Sequence, residues 1–114
     1  MTISRGEVWL VNLDPSLGDE IRKMRPAIVF SRDALGVLEL RVVVPVTAWQ
    51  DRFGECDWLV RLAPDSSNNL DKPSAADTFQ VRSISTRRFV RKLGQLSDAD
   101  VNRIAEGLRA VFAL

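Results

Sequence analysis

Leu38-Glu39-Leu40-Arg41-Val42-Val43-Val44-Pro45-Val46-Thr47 is the stretch on which the fold turns. Leu38, Leu40, Val42, Val44 and Val46 recur at period two, and Glu39 and Arg41 begin the opposite face. The spacing predicts a β-strand over residues 38–46 with one face in the core, and the valines favour that pleated geometry. Thr47 stands where the strand meets a loop. A hydroxyl there either projects from a rigid element into a groove or simply caps the strand.

Working outward, Val8-Trp9-Leu10-Val11 marks a strand over residues 7–13, ended by the turn residues Asp14-Pro15-Ser16-Leu17-Gly18. A polar loop runs to Arg25, and Pro26 opens a second strand over residues 27–30, proline being tolerated at a strand's first residue. Residues 33–36 read as a short connection or a single helical turn. Downstream come a loop at 48–54, a strand at 58–62 and a loop at 64–73 that contains Ser66-Ser67-Asn68-Asn69. A fifth strand is expected over 74–85, with Phe79 and Val81 on one face and Thr78, Gln80 and Arg82 on the other, then a short strand at 89–93. The period then changes. Ser97, with Asp100 three residues on, starts a helix whose apolar stripe is Val101, Ile104, Ala105, Leu108, Val111 and Phe112. Short connections without βαβ spacing point to a mainly β fold: a small antiparallel β-barrel with a C-terminal α-helix. Residues 1–114 form a single domain.

The composition agrees. A chain of 114 residues with 46% hydrophobic and 27% charged residues is one globular domain. No stretch approaches a membrane span, and the first residues meet a charge at Arg5, so a cytoplasmic protein is expected. There is no histidine and one cysteine, Cys56. That excludes an internal disulfide, structural zinc of the usual kinds and every scheme that needs a histidine acid or base. The net charge is +1, but it is unevenly spread. Arg22, Lys23, Arg25 and Arg32 form one cationic run, and Arg82, Arg87, Arg88, Arg91 and Lys92 form another. Such runs either bind a polyanion or are a solvated face.

Several groups suit nucleic acid. Gln80 and Arg82, two residues apart, offer an amide and a guanidinium to base edges and phosphates. Trp49, in a loop with Gln50 and Arg52, is the tryptophan best placed to stack on a base; Trp9 and Trp58, in strands, read as core or interface. Cys56 has no partner that would make it reactive.

Taken in order, Arg5-Gly6-Glu7-Val8-Trp9, Leu13-Asp14-Pro15, Gly18-Asp19-Glu20, Arg25-Pro26-Ala27-Ile28-Val29, Val44-Pro45-Val46-Thr47, Gln80-Val81-Arg82-Ser83-Ile84 and Leu93-Gly94 resemble the MazF/PemK (Kid) family of toxins from toxin–antitoxin modules. The resemblance runs nearly end to end. It implies an SH3-like barrel, a homodimer, a cognate MazE-like antitoxin and specific cleavage of single-stranded RNA without metal or cofactor. It places the family's catalytic arginine at Arg25, its catalytic hydroxyl at Thr47 and its loop acid at Glu20. RNA contacts would come from Arg22, Lys23, Trp49, Gln50, Arg52, Gln80 and Arg82. The chain departs from the family where Ile21-Arg22-Lys23 replaces Gln-x-Gly and where Phe79 replaces an aspartate before the glutamine.

The implied chemistry suits these residues. The 2′-hydroxyl of RNA attacks the adjacent phosphate, and a fixed guanidinium stabilises the charge that builds there. Thr47 would hold a phosphate oxygen in line, and burial would help Glu20 take the proton. Two other readings remain open at this level: a non-catalytic SH3-like binding module, and a gyrase-targeting toxin of the same superfold.

Overall fold

The computed structural model describes residues 2–35 and 37–114. Seven antiparallel strands are followed by one helix: β1 (Glu7–Asn12), β2 (Met24–Val29), β3 (Leu40–Ala48), β4 (Leu59–Leu62), β5 (Ser74–Asp77), β6 (Arg82–Ser85), β7 (Phe89–Gln95) and α1 (Asp98–Phe112). They form one sheet in the order β4-β5-β3-β2-β1-β7, with β6 paired to Leu40–Val43 at the start of β3. Residues Asp33–Leu35 form the expected single turn; Gly36, at its end, lies outside the described residues.

The central strands are apolar on both faces because both faces are covered. Val8, Ile28, Val44 and Val46 enter one core, closed by Val101 and Ile104 of α1. Trp9, Val11, Ala27, Val29 and Val43 enter a second, with Ile84 and Phe89. This corrects the single-faced reading of residues 38–46. Val44 and Val46 are buried as expected, but so is Val43, while Leu38 and Leu40 are about half exposed. β2 pairs with Val43–Pro45 in the middle of β3, whereas the first residues of the strand have only β6 beside them. The strand also continues through Thr47 to Ala48 instead of ending at Val46.

The expected strand at 74–85 is two strands. β5 pairs with Val46–Ala48 and β6 with Leu40–Val43 on the same edge of β3. Between them stand Val44 and Pro45, and Pro45 has no N–H to offer a ladder. Opposite this gap the chain makes a 3-10 turn, Thr78–Gln80, capped by Asp77, whose carboxylate accepts from Phe79 N at 3.1 Å. The turn reverses the expected facing: Thr78 is fully buried and Phe79 is 68% exposed. Gln80 and Arg82 therefore do not share one face of one strand.

β4 and β7 end the sheet path, and the β4–β5 loop spans the interval between them. Gln95 N donates to Ser67 O at 2.9 Å, and Asn69 Nδ2 donates to Leu93 O at 2.7 Å. Buried Asn68 holds that loop in shape. Its Oδ1 accepts from Asp65 N and Leu70 N, both at 3.0 Å, and its Nδ2 donates to Ala63 O. The approach requires glycine at 94, since a Cβ there would lie 2.2 Å from Ser67 O. The expected barrel is therefore not closed by strand pairing: the sheet ends at β4 and β7, and the β4–β5 loop bonds to β7 in place of a strand.

α1 starts at Ser97, whose Oγ accepts from Asp100 N at 3.1 Å, with Asp98 and Asp100 in its first turn. It buries Val101, Ile104 and Gly107; Phe112, read as part of the stripe, is mostly exposed. Among the described residues no helix is long and apolar enough to cross a membrane.

Gly94→Ala is expected to lower the melting temperature by at least 4 °C, roughly the effect of 1 kcal/mol in a domain of this size. Gly54→Ala, whose added methyl meets nothing within 4 Å, is the control and should melt close to wild type. Equal melting temperatures for the two variants would refute the close approach of β7 to the β4–β5 loop.

Candidate functional site

Arg25 and Thr47 come together through strand register. β2 and β3 pair Ala27 with Pro45, Ile28 with Val44 and Val29 with Val43. Continuing that register by two residues sets Arg25 opposite Thr47. Pro26 lies beyond the last registered β3 partner, where a strand position without an N–H is tolerated. Both residues line a cavity of about 490 Å³. Arg25 is half-buried; its Nε donates to Arg22 O at 3.2 Å. Its terminal nitrogens and the Thr47 hydroxyl have no protein partner among the described residues. Asn69, Lys72 and Arg91 also line this cavity, and Asp71 is the one acid there. Two guanidiniums and an ammonium against one carboxylate make it a site for an anion.

The loop between β1 and β2 is built by long-range hydrogen bonds. Arg88 donates to Asn12 O at 3.1 Å and also to Asp14 O, holding the loop's entry. Asp14 Oδ1 accepts from Lys23 N at 3.1 Å, and Lys23 adopts a left-handed φ of 66°. Gln80 holds the far side: its Oε1 accepts from Ile21 N at 2.6 Å, and its Nε2 donates to Asp19 O and Asp77 Oδ2, both at 3.2 Å. Burial pushes the Asp77 carboxyl above its ordinary range, although hydrogen bonds from Phe79 and Gln80 pull the other way. A second cavity, of about 500 Å³, lies along this loop and is lined by Asp19, Glu20, Phe79, Gln80 and Arg82, among others.

The residues singled out in the sequence thus fall into four places. Arg25 and Thr47 share the first cavity; Glu20, Gln80 and Arg82 share the second. Arg22 and Lys23 are exposed on the loop that leads from Glu20 to Arg25, and Arg22 is tied to Gly18 O at 3.0 Å. Trp49, Gln50 and Arg52 lie at the end of β3 and in the following 3-10 turn, lining neither cavity. Trp49 packs edge-to-face with Phe53 at 5.7 Å, and the Arg61 guanidinium stands 5.2 Å from its ring centroid, so one stacking face is already taken.

Two expectations change. Glu20 is exposed, and its carboxylate accepts from Leu17 N, so the burial that would have fitted it for proton transfer is absent. Gln80 uses both ends of its amide to fix the loop, which makes it a positioning residue. The sequence reading also missed Arg91, Lys72 and Asn69. Arg91 belonged to a visible cationic run, but nothing local separated it from Lys92, which instead pairs with Glu7 at 2.8 Å. Burial pushes the Glu7 carboxyl up, but Lys92, Ser4 N–H and the Trp9 indole together hold it below its ordinary range. Lys72 and Asn69 sit in a loop whose only local signal was turn composition.

The family described as PemK-like, MazF-like toxin of type II toxin-antitoxin system matches residues 4–112. The endoribonuclease MazF9 of Mycobacterium tuberculosis is 33% identical over 111 residues, 92% of this chain and 92% of that protein. Among solved structures, MazF from Deinococcus radiodurans superposes with a TM-score of 0.84 at 24% identity, covering 100% of this chain and 99% of that one. A mycobacterial endoribonuclease solved in complex with its cognate antitoxin gives a TM-score of 0.78 at 18% identity, covering 99% of this chain and 97% of that one.

Gln80→Ala should free the loop without unfolding the sheet. Hydrogen exchange at the Ile21 amide is expected to quicken roughly tenfold, as for the loss of about one net hydrogen bond, while amides in β1 and β3 stay protected. Unchanged exchange at Ile21 would show that Gln80 does not hold the loop.

Proposed function

The chain belongs to the PemK-like, MazF-like toxin family of type II toxin–antitoxin systems, and we propose that it cuts RNA in the cavity between Arg25 and Thr47. It is an endoribonuclease toxin with a cognate antitoxin. The observation that carries the site assignment is the pairing of a guanidinium whose terminal nitrogens are free, its Nε being held by Arg22 O, with an unengaged hydroxyl on the neighbouring strand, in a cavity that also holds Lys72 and Arg91. Strand register fixes their separation, which is what a catalytic pair needs.

In the proposed reaction the 2′-hydroxyl gives up its proton to solvent as its oxygen forms a bond to the adjacent phosphorus, and the bond to the 5′-oxygen breaks as that oxygen takes up a proton from solvent. The products are a 2′,3′-cyclic phosphate and a 5′-hydroxyl. Arg25 donates to the phosphate oxygens, where charge grows in the transition state. Thr47 holds one of those oxygens in line, and Arg91 and Lys72 draw the backbone in. Glu20, exposed at the second cavity, is not assigned as the base. The substrate is single-stranded RNA, and its sequence preference is set where the strand leaves the first cavity.

The antitoxin would supply an acidic, extended segment that orders on binding and covers the same cationic cavity. The toxin acts as a homodimer in the cytoplasm. A pure binding module has no use for Arg25 and Thr47 at adjoining strand positions, and a gyrase-directed toxin would leave RNA intact, so one gel separates the readings.

Arg25→Ala is expected to lose about 10²–10³ in cleavage rate with an unchanged melting temperature, the usual cost of removing one such donor. Arg25→Lys should also be poor, because a point charge does not replace a bidentate fork. An alanine variant that keeps more than about a tenth of the wild-type rate would remove Arg25 from the transition state.

Cleavage should persist in EDTA, and a substrate with deoxyribose at the scissile nucleotide should bind uncut. Cutting of the deoxy substrate would mean that water and not the 2′-hydroxyl is the nucleophile.

A further inference from the structure

Phe79 is 68% exposed, yet the backbone that carries it is pinned on every side. Before it, Thr78 is buried and donates from both N and Oγ1 to Trp58 O, at 3.1 and 2.7 Å. Its own N–H is held by Asp77, and Gln80 after it is tied to Ile21 and Asp19. The Trp58 ring, itself 37% exposed, meets the Phe79 ring at 6.3 Å with the planes 62° apart. That edge-type contact orients the Phe79 ring and leaves ring surface open to solvent. A bare aromatic ring on a rigid turn is a stacking platform, and its ordering cost is already met by the fold.

Its surroundings name the ligand. Phe79 rims the cavity that holds Arg82, Asp19 and Glu20. Asp19 and Glu20 accept from base amines and Arg82 donates to phosphate, while the apolar wall of Leu13, Ile21, Pro45 and Val81 in the same cavity suits the face of a base. Pro45 lines this cavity and Thr47 lines the other. Two residues along β3 span about 7 Å, so a strand cut at Thr47 reaches Phe79 within a nucleotide or two. We propose that Phe79, set by Trp58, stacks on a nucleobase flanking the scissile phosphate and so contributes to substrate selection. This rests on the reading of the chain as an endoribonuclease.

The test is binding of a cleavable-sequence oligoribonucleotide made inert by one deoxyribose at the scissile position. Phe79→Ala and Phe79→Leu should each weaken binding by roughly tenfold or more, the usual effect of losing one stacked base, while Phe79→Trp restores it. Melting temperatures should not move, since the ring is exposed. Moving an abasic site along the oligomer should reveal one position that costs wild type the same factor and costs Phe79→Ala nothing more. Wild-type affinity for Phe79→Leu, or additive losses at every position, would overturn the platform while leaving endoribonuclease activity standing. Weakened binding of the cognate antitoxin with unchanged RNA binding would assign the surface to a protein partner and overturn it too. A wild-type protein that neither binds nor cuts any RNA would overturn both the platform and the function.

Discussion

β3 is the strand that everything else is hung on. It is bonded along both edges, by β2 on one side and by β5 and then β6 on the other. It is also buried on both faces, with Val44 and Val46 in one core and Val43 in the other. A strand so enclosed has one permitted register, because a slip by a single residue would exchange its two cores. That rigidity reaches Thr47, the next-to-last residue of the strand, and through the β2 register it reaches Arg25.

Pro45 is the point at which this strand yields. It cannot donate to a third ladder, and the chain opposite it leaves the sheet for the turn Thr78–Gln80. The turn does three things at once: Thr78 packs under α1 near Gly107, Gln80 ties down the loop between β1 and β2, and Phe79 is pushed outward. Of the two cavities, only the second borders this break. The first lies where β2 and β3 run past their pairing, and the second lies under the turn.

Charge is sorted by the fold in the same way. Arg91 and Lys92 are neighbours in the chain, but strand alternation separates their tasks: Arg91 lines the anionic-ligand cavity and Lys92 satisfies the buried Glu7. Arg88, from the same run, is spent on the carbonyls of the first loop. A net charge of +1 therefore coexists with a strongly cationic cavity.

The elements whose signal is local can be read from the chain alone. The valine run, the strand at Val8–Val11, the helix with its Ser97 cap and the arginine before Pro26 are all legible because period, capping and turn chemistry act over a few residues. The order of the motifs likewise singled out Arg25 and Thr47. The split of residues 74–85 is set by long-range packing, since that break answers to Pro45, some thirty residues earlier in the chain. So are the roles of Gln80, which fixes a loop, and Glu20, which stays exposed, the half-buried state of Trp49 against the exposure of Phe79, and the place of Asn69, Lys72 and Arg91 in the site. Each of these depends on a partner distant in sequence, and no local pattern encodes which of several arginines or aromatic rings will meet it.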